Sequence, residues 1–112
     1  MNISSLRPIP VNKIEFNLSK LKFSPTESGC YILTNFFDEI MYIGQADNLQ
    51  RRMKNHLENP HKTGLTEIGK AYWFWYMTFD PNNLSKLERG WLNLYELNHG
   101  KLPFLNSIHA PI

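Results

Sequence analysis

The chain has a single cysteine, Cys30, so no disulfide can form within it. That excludes a disulfide-stapled scaffold, and the simpler expectation is a reducing, intracellular (cytoplasmic) setting. No run approaches the ~18 apolar residues of a membrane span, and the N-terminus lacks the basic-then-apolar pattern of a signal peptide, so no membrane partner is expected. Neither sign of charge dominates: 12 Lys and Arg oppose 10 Asp and Glu, for a net +2. Such a balance does not by itself point to a polyanion. There is no glycine-rich phosphate loop, because Gly44 stands alone before Gln45. The 4 histidines are dispersed, and none pairs with Cys30 at zinc spacing. Repeats and low-complexity tracts are absent.

What is present suits one globular domain. The 112 residues are 42% hydrophobic and 13% aromatic, enough for a single core. Residues 1–27 scatter Pro8, Pro10 and Pro25 among short apolar pieces and read as an arm packed on the core, leaving 28–112 as the main domain. Cys30 to Thr34 and Ile40 to Gly44 are rich in strand formers and flank the turn-like Asn35 to Glu39, which predicts a hairpin. In it Tyr31 and Tyr42 are expected opposite each other on one face. Asp47, with Gln50 three residues on, resembles a helix N-cap, and the helix runs to about Glu58, before Pro60. Ala71 to Phe79 is apolar on both faces, as in a strand covered on both sides. A second helix follows Pro81-Asn82-Asn83 to about Leu97. The expected fold is α/β of the α+β type: a small, mainly antiparallel three-stranded sheet flanked by helices.

Helical geometry, at about 100° per residue, sorts the polar residues. In the first helix Leu49, Met53, Leu57 and His56 share the inward face. Arg52 lies at its edge, while Arg51 and Lys54 point to water. The plainer reading is a snorkelling arginine beside a hydrogen-bonded core histidine. In the second helix Glu88 falls within the apolar arc of Leu84, Leu87, Trp91, Leu92 and Tyr95. A carboxylate there needs a cation, a hydrogen-bond network or a raised pKa, and a structural ion pair with Arg52 or a lysine would serve.

Taken in order, these residues resemble the GIY-YIG nuclease domain family. "GCY" (Gly29 to Tyr31) stands for the first phrase and "YIG" (Tyr42 to Gly44) for the second, with the tyrosines 11 residues apart. "NLQRR" matches the family's Asn-Leu-x-x-Arg and selects Arg52. His56 follows one turn later, "LSKLE" supplies Glu88, and "PFLN" supplies Asn106. The resemblance spans about Gly29 to Asn106. Cys30 stands where isoleucine or valine is usual.

The resemblance implies a metal-dependent DNA endonuclease. It implies one divalent ion, Mg²⁺ or Mn²⁺, held by Glu88, with Arg52 gripping the scissile phosphate. Tyr31, or failing it Tyr42, would activate the water. His56 would relay the proton, and Asn106 would fix a water or a loop. Arg51, Lys54, Lys62 and Lys70 are expected to contact flanking phosphates of DNA, RNA not being excluded. Sequence-specific readout from so short a chain would call for a homodimer or a larger assembly. The competing expectation is a catalytically inactive nucleic-acid-binding or protein-interaction module that keeps the fold.

Overall fold

The computed structural model describes residues 1–106. Four strands form one antiparallel sheet: β1 (Asn12–Glu15), β2 (Gly29–Thr34), β3 (Ile40–Ala46) and β4 (Trp73–Thr78), in the order β1-β4-β2-β3. The sheet therefore has one strand more than the three expected. The addition is β1, from the N-terminal arm, which pairs with β4. Three helices complete the fold: α1 (Leu49–Leu57), the single turn α2 (Pro60–Thr63), and α3 (Leu84–His99). No helix among the described residues is long and apolar enough to cross a membrane.

Strand alternation divides the core into two layers. Cys30, Ile32 and Ile43 face α3 and meet Leu84, Trp91 and Tyr95, together with Ile3 and Leu6 from the N-terminal arm. Tyr31, Leu33, Ala46 and Phe74 face α1 and meet Leu49 and Met53. The register shifts between Leu33 and Thr34, which pair with Tyr42 and Ile40 and leave Met41 as the extra residue. This bulge turns two consecutive residues, Met41 and Tyr42, toward the α1 layer.

The register also corrects one expectation. Tyr31 pairs with Gly44, and Tyr42 with Leu33, so the tyrosines are diagonal neighbours on one face rather than directly opposite. The cap of α1 is displaced by one residue as well. Asn48 accepts the Arg51 N–H at 2.9 Å, whereas Asp47 pairs with the Arg51 guanidinium at 2.6 Å. β4 lies inside the sheet, yet only Phe74 is fully buried along it, and the indoles of Trp73 and Trp75 carry the Lys13 ammonium at 4.1 and 4.9 Å. Gly100 ends α3 in the left-handed region (φ 71°), and its N–H closes on the Glu96 carbonyl.

Candidate active site

The site is built around β3, an edge strand. On the α1 side Tyr31 lies between Phe74, whose ring stacks at 5.2 Å and 16°, and Tyr42, stacked at 5.9 Å. Gly44 makes this possible. A Cβ there would lie 2.6 Å from the Tyr31 Cζ and hydroxyl and 2.8 Å from Tyr42 Cε1. The glycine thus leaves the volume that two phenol rings occupy.

His56 arrives from α1 on its inward face and is buried. Its Nε2 is 2.5 Å from the Tyr31 hydroxyl, and its ring meets Tyr42 at 5.1 Å and 64°. Burial, then the charges of Lys62 and Arg52, push His56 down to about 3. The imidazole is therefore neutral at ordinary pH, so Nε2 can accept the Tyr31 O–H. Burial holds Tyr31 well above the ordinary phenol value, with the Tyr42 charge adding to it and Arg52 opposing. Tyr42 is raised by burial too, and there the Tyr31 hydroxyl opposes the shift.

Arg52 is half-buried at the edge of α1. The one ion pair among the described residues joins Arg51 to Asp47, so Arg52 has no carboxylate within 4 Å. Glu88 is half-buried on α3 and accepts a hydrogen bond from Gln45 Nε2 at 3.2 Å. The same amide nitrogen donates to Ser85 Oγ at 3.2 Å. Burial raises the Glu88 pKa, while Gln45, Arg52 and Arg89 oppose that shift. Gln45, Ser85, Glu88, Asn93 and Glu96 line an open cleft.

Asn106 sits on the outer edge of β3. Its Oδ1 accepts the Ile43 N–H at 2.9 Å, and its Nδ2 donates to the Ile43 carbonyl at 2.8 Å. The side-chain amide thus pairs with the edge strand as a neighbouring strand would, and fastens the C-terminal turn (Phe104–Asn106) to the site.

The structure brings Tyr31, Tyr42, Arg52 and His56 together on the α1 side of the sheet, sets Glu88 on α3, which packs on the other side, and ties Asn106 to Ile43 within the second phrase. It divides the four residues expected to hold flanking phosphates. Arg51, Lys54 and Lys70 are exposed, whereas Lys62 is buried, its Nζ 4.8 Å from the centre of the Tyr42 ring. Lys62 thus lies against the aromatic cluster and not on the exposed surface. Gln45 was not singled out by sequence reasoning. Its signal was the alternation of β3, which puts the residue after Gly44 on the α3 side, facing Glu88.

Comparison with known proteins gives the family. The GIY-YIG catalytic domain pattern matches residues 27–101, a span that holds Tyr31, Tyr42, Arg52, His56 and Glu88 and stops short of Asn106. UvrABC system protein C of Mycoplasma genitalium (strain G37) is 29% identical over 79 residues, which is 69% of this chain but 13% of that protein. The protein of the same name from Streptococcus sanguinis (strain SK36) is 42% identical over 45 residues, 40% of this chain and 7% of that one. The chain therefore spans only a small part of these curated relatives. In fold it is similar to the GIY-YIG N-terminal endonuclease domain of UvrC from Thermotoga maritima, solved as a tyrosine-to-phenylalanine mutant bound to its catalytic divalent cation. The TM-score is 0.57 at 20% identity, covering 80% of this chain and 93% of that domain. An asparagine-to-alanine mutant of the same domain gives 0.56 at 20% identity. With most of its length matched by that pattern, the chain belongs to the GIY-YIG catalytic domain family of nucleases.

Proposed function

We propose that the chain is a metal-dependent endonuclease that hydrolyses phosphodiester bonds of DNA. The observation that carries this reading is the 2.5 Å contact between the Tyr31 hydroxyl and His56 Nε2, with the unpaired Arg52 acting on both groups. A structural pair would need no uncompensated guanidinium beside it.

The Glu88 side chain fits a divalent ion. It is a hard oxygen donor in an open polar cleft, and its only hydrogen-bond partner among the described residues is the neutral Gln45 amide. No cluster of three His, Cys, Asp or Glu occurs among the described residues, which suits an ion that keeps most of its waters, such as Mg²⁺ or Mn²⁺. When bound, such an ion supplies positive charge to the leaving 3′ oxygen.

The protein groups do the rest. Arg52 holds the scissile phosphate through two non-bridging oxygens, which its planar fork matches. The Tyr31 hydroxyl takes a proton from the attacking water as it gives its own to His56 Nε2. The water oxygen bonds to phosphorus, the bond to the 3′ oxygen breaks, and the leaving oxygen takes up a proton from solvent. Tyr42 orients water or phosphate, and Gln45 holds the Glu88 carboxylate. Arg51, Lys54 and Lys70 contact flanking phosphates.

The test is a cleavage assay on single-stranded, duplex and branched DNA and on RNA, with Mg²⁺, with Mn²⁺ and with a chelator. At least one DNA form should be cut with either ion and none with chelator. Binding of nucleic acid without cleavage under all conditions would instead establish a non-catalytic module.

A further inference from the structure

Most cations of this protein are solvated or partnered in plain ways. Arg51 pairs with Asp47, Lys13 lies over two indoles, and Lys20 and Lys22 lie near Phe23. Lys62 is different. It is 5% exposed, as buried as His56 at 7%, yet no carboxylate among the described residues lies within 4 Å of its ammonium. Among the described residues its ammonium is met by the face of Tyr42.

The local chain aims it there. Asn59 caps α2 by accepting the His61 N–H at 2.9 Å, and Pro60 occupies the first turn. The Lys62 N–H then closes on the Asn59 carbonyl at 2.9 Å, and the Gly64 N–H on the Pro60 carbonyl at 3.0 Å. A turn so fixed holds the lysine stem against the aromatic cluster instead of releasing it to water.

Taking an ammonium out of water without an anion is unfavourable, and an aromatic face offsets only part of that. Packing alone would be better served by methionine or leucine at this position. The arrangement is favourable once an anion arrives. Resting on the nuclease reading above, we propose that Lys62 is a second phosphate-binding cation of the active site, which with Arg52 holds the phosphate undergoing cleavage. The two cations divide the work. One positive charge balances the single charge of a phosphodiester, and the second meets the charge that develops as water adds to phosphorus.

The electrostatics around His56 support this. After burial, Lys62 and Arg52 are the two groups that lower its proton affinity. A phosphate between them cancels both effects, so the imidazole becomes a better acceptor for the Tyr31 proton when substrate is in place.

The test uses the full chain and its Lys62→Met variant, which keeps the stem and removes the charge. Inorganic phosphate is titrated without divalent ion or nucleic acid and followed through the His56 ring signals by NMR. Wild type should show a saturable shift, and Lys62→Met should bind at least about tenfold more weakly while melting no lower than wild type. In single-turnover cleavage with Mg²⁺, Lys62→Met should be slowed about 10²-fold, and the salt dependence of DNA binding should flatten by about one phosphate contact. Phosphate binding lost in the variant would uphold the Lys62 site even if wild type cut no nucleic acid; that result would sink the nuclease reading alone. Equal phosphate affinity in both proteins, no phosphate binding by wild type, or an unchanged cleavage rate in Lys62→Met would overturn the proposal.

Discussion

The two faces of the sheet are packed by opposite rules. On the α3 face the indole N–H groups are matched: Trp91 Nε1 donates to the Pro8 carbonyl at 3.0 Å, and Trp75 Nε1 to Thr34 Oγ1 at 3.1 Å. On the α1 face a histidine, two tyrosines and a lysine are buried or half-buried together, and the two nearest cations have no carboxylate partner among the described residues. One face is arranged for stability. The other withholds compensation from charged groups, as a site awaiting a charged ligand does. Glu88 belongs to α3 and accepts its hydrogen bond from Gln45 on that side, while the charge of Arg52 opposes the rise of its pKa.

The contrast breaks most sharply if one residue from each side is removed. Glu88→Ala loses one hydrogen bond to Gln45 and relieves a partly buried carboxylate. Cleavage should fall below detection while the melting temperature stays within a few degrees of wild type. Trp91→Ala should do the reverse. It empties a fully buried site and orphans the Pro8 carbonyl, at a cost of about 3–5 kcal/mol, yet the folded fraction should still cut DNA. Chemical denaturation and cleavage measured on the same samples decide both. Unfolding of Glu88→Ala would make Glu88 a structural residue and remove the metal assignment.

The tyrosines sharpen the comparison within the active face. Tyr31→Phe keeps the stack on Phe74 and removes the hydroxyl that His56 meets, so turnover should fall by roughly 10² to 10⁴. Tyr42→Phe should fall less if, as proposed, that hydroxyl orients rather than transfers a proton. Single-turnover rates against pH at saturating metal separate the two. A larger loss for Tyr42→Phe reverses the roles, and near-wild-type rates for both leave His56 as the base.

The neighbouring arginines form a finer pair. Arg52→Ala removes the unpaired guanidinium and should slow turnover by about 10²–10³. Arg51→Ala breaks only an exposed pair with Asp47 and should weaken DNA binding a few-fold, most at low salt and less as salt rises. Equal effects on turnover would refute the separation of the two by helix face.

Much of this was legible in the sequence. Strand-forming residues on either side of a turn-like stretch marked β2 and β3, and the 3.6-residue period separated Arg52 from Arg51. The fourth strand was not legible. Asn12–Glu15 is four residues long, and its pairing depends on β4 lying alongside, some 60 residues away in sequence. The tyrosine register was missed because turn geometry and the bulge at Met41 shift the partner of Tyr31 by two residues. Lys62 was misplaced because a lysine in a polar connection reads as solvated. Only the return of α2 onto Tyr42 buries it.

The remaining effect lies in the acid limb of stability. An ordinary histidine titrates at 6.5, whereas His56 in the fold is held near 3. Below 6.5 the unfolded chain takes up a proton that the folded chain refuses. The contribution of His56 is therefore complete above that value and declines as pH falls from 6.5 toward 3, at up to about 1.4 kcal/mol per pH unit. Glu88 works in the opposite sense, since its raised value favours the fold under acid, so the slope must be isolated by substitution. His56→Gln keeps a hydrogen-bond acceptor for Tyr31 and removes the titration. Urea unfolding between pH 7 and pH 4.5 should show a decline in wild type that is flatter in the variant. Parallel declines would mean that His56 is protonated in the folded protein. The neutral acceptor on which the Tyr31 proton transfer depends would then be absent.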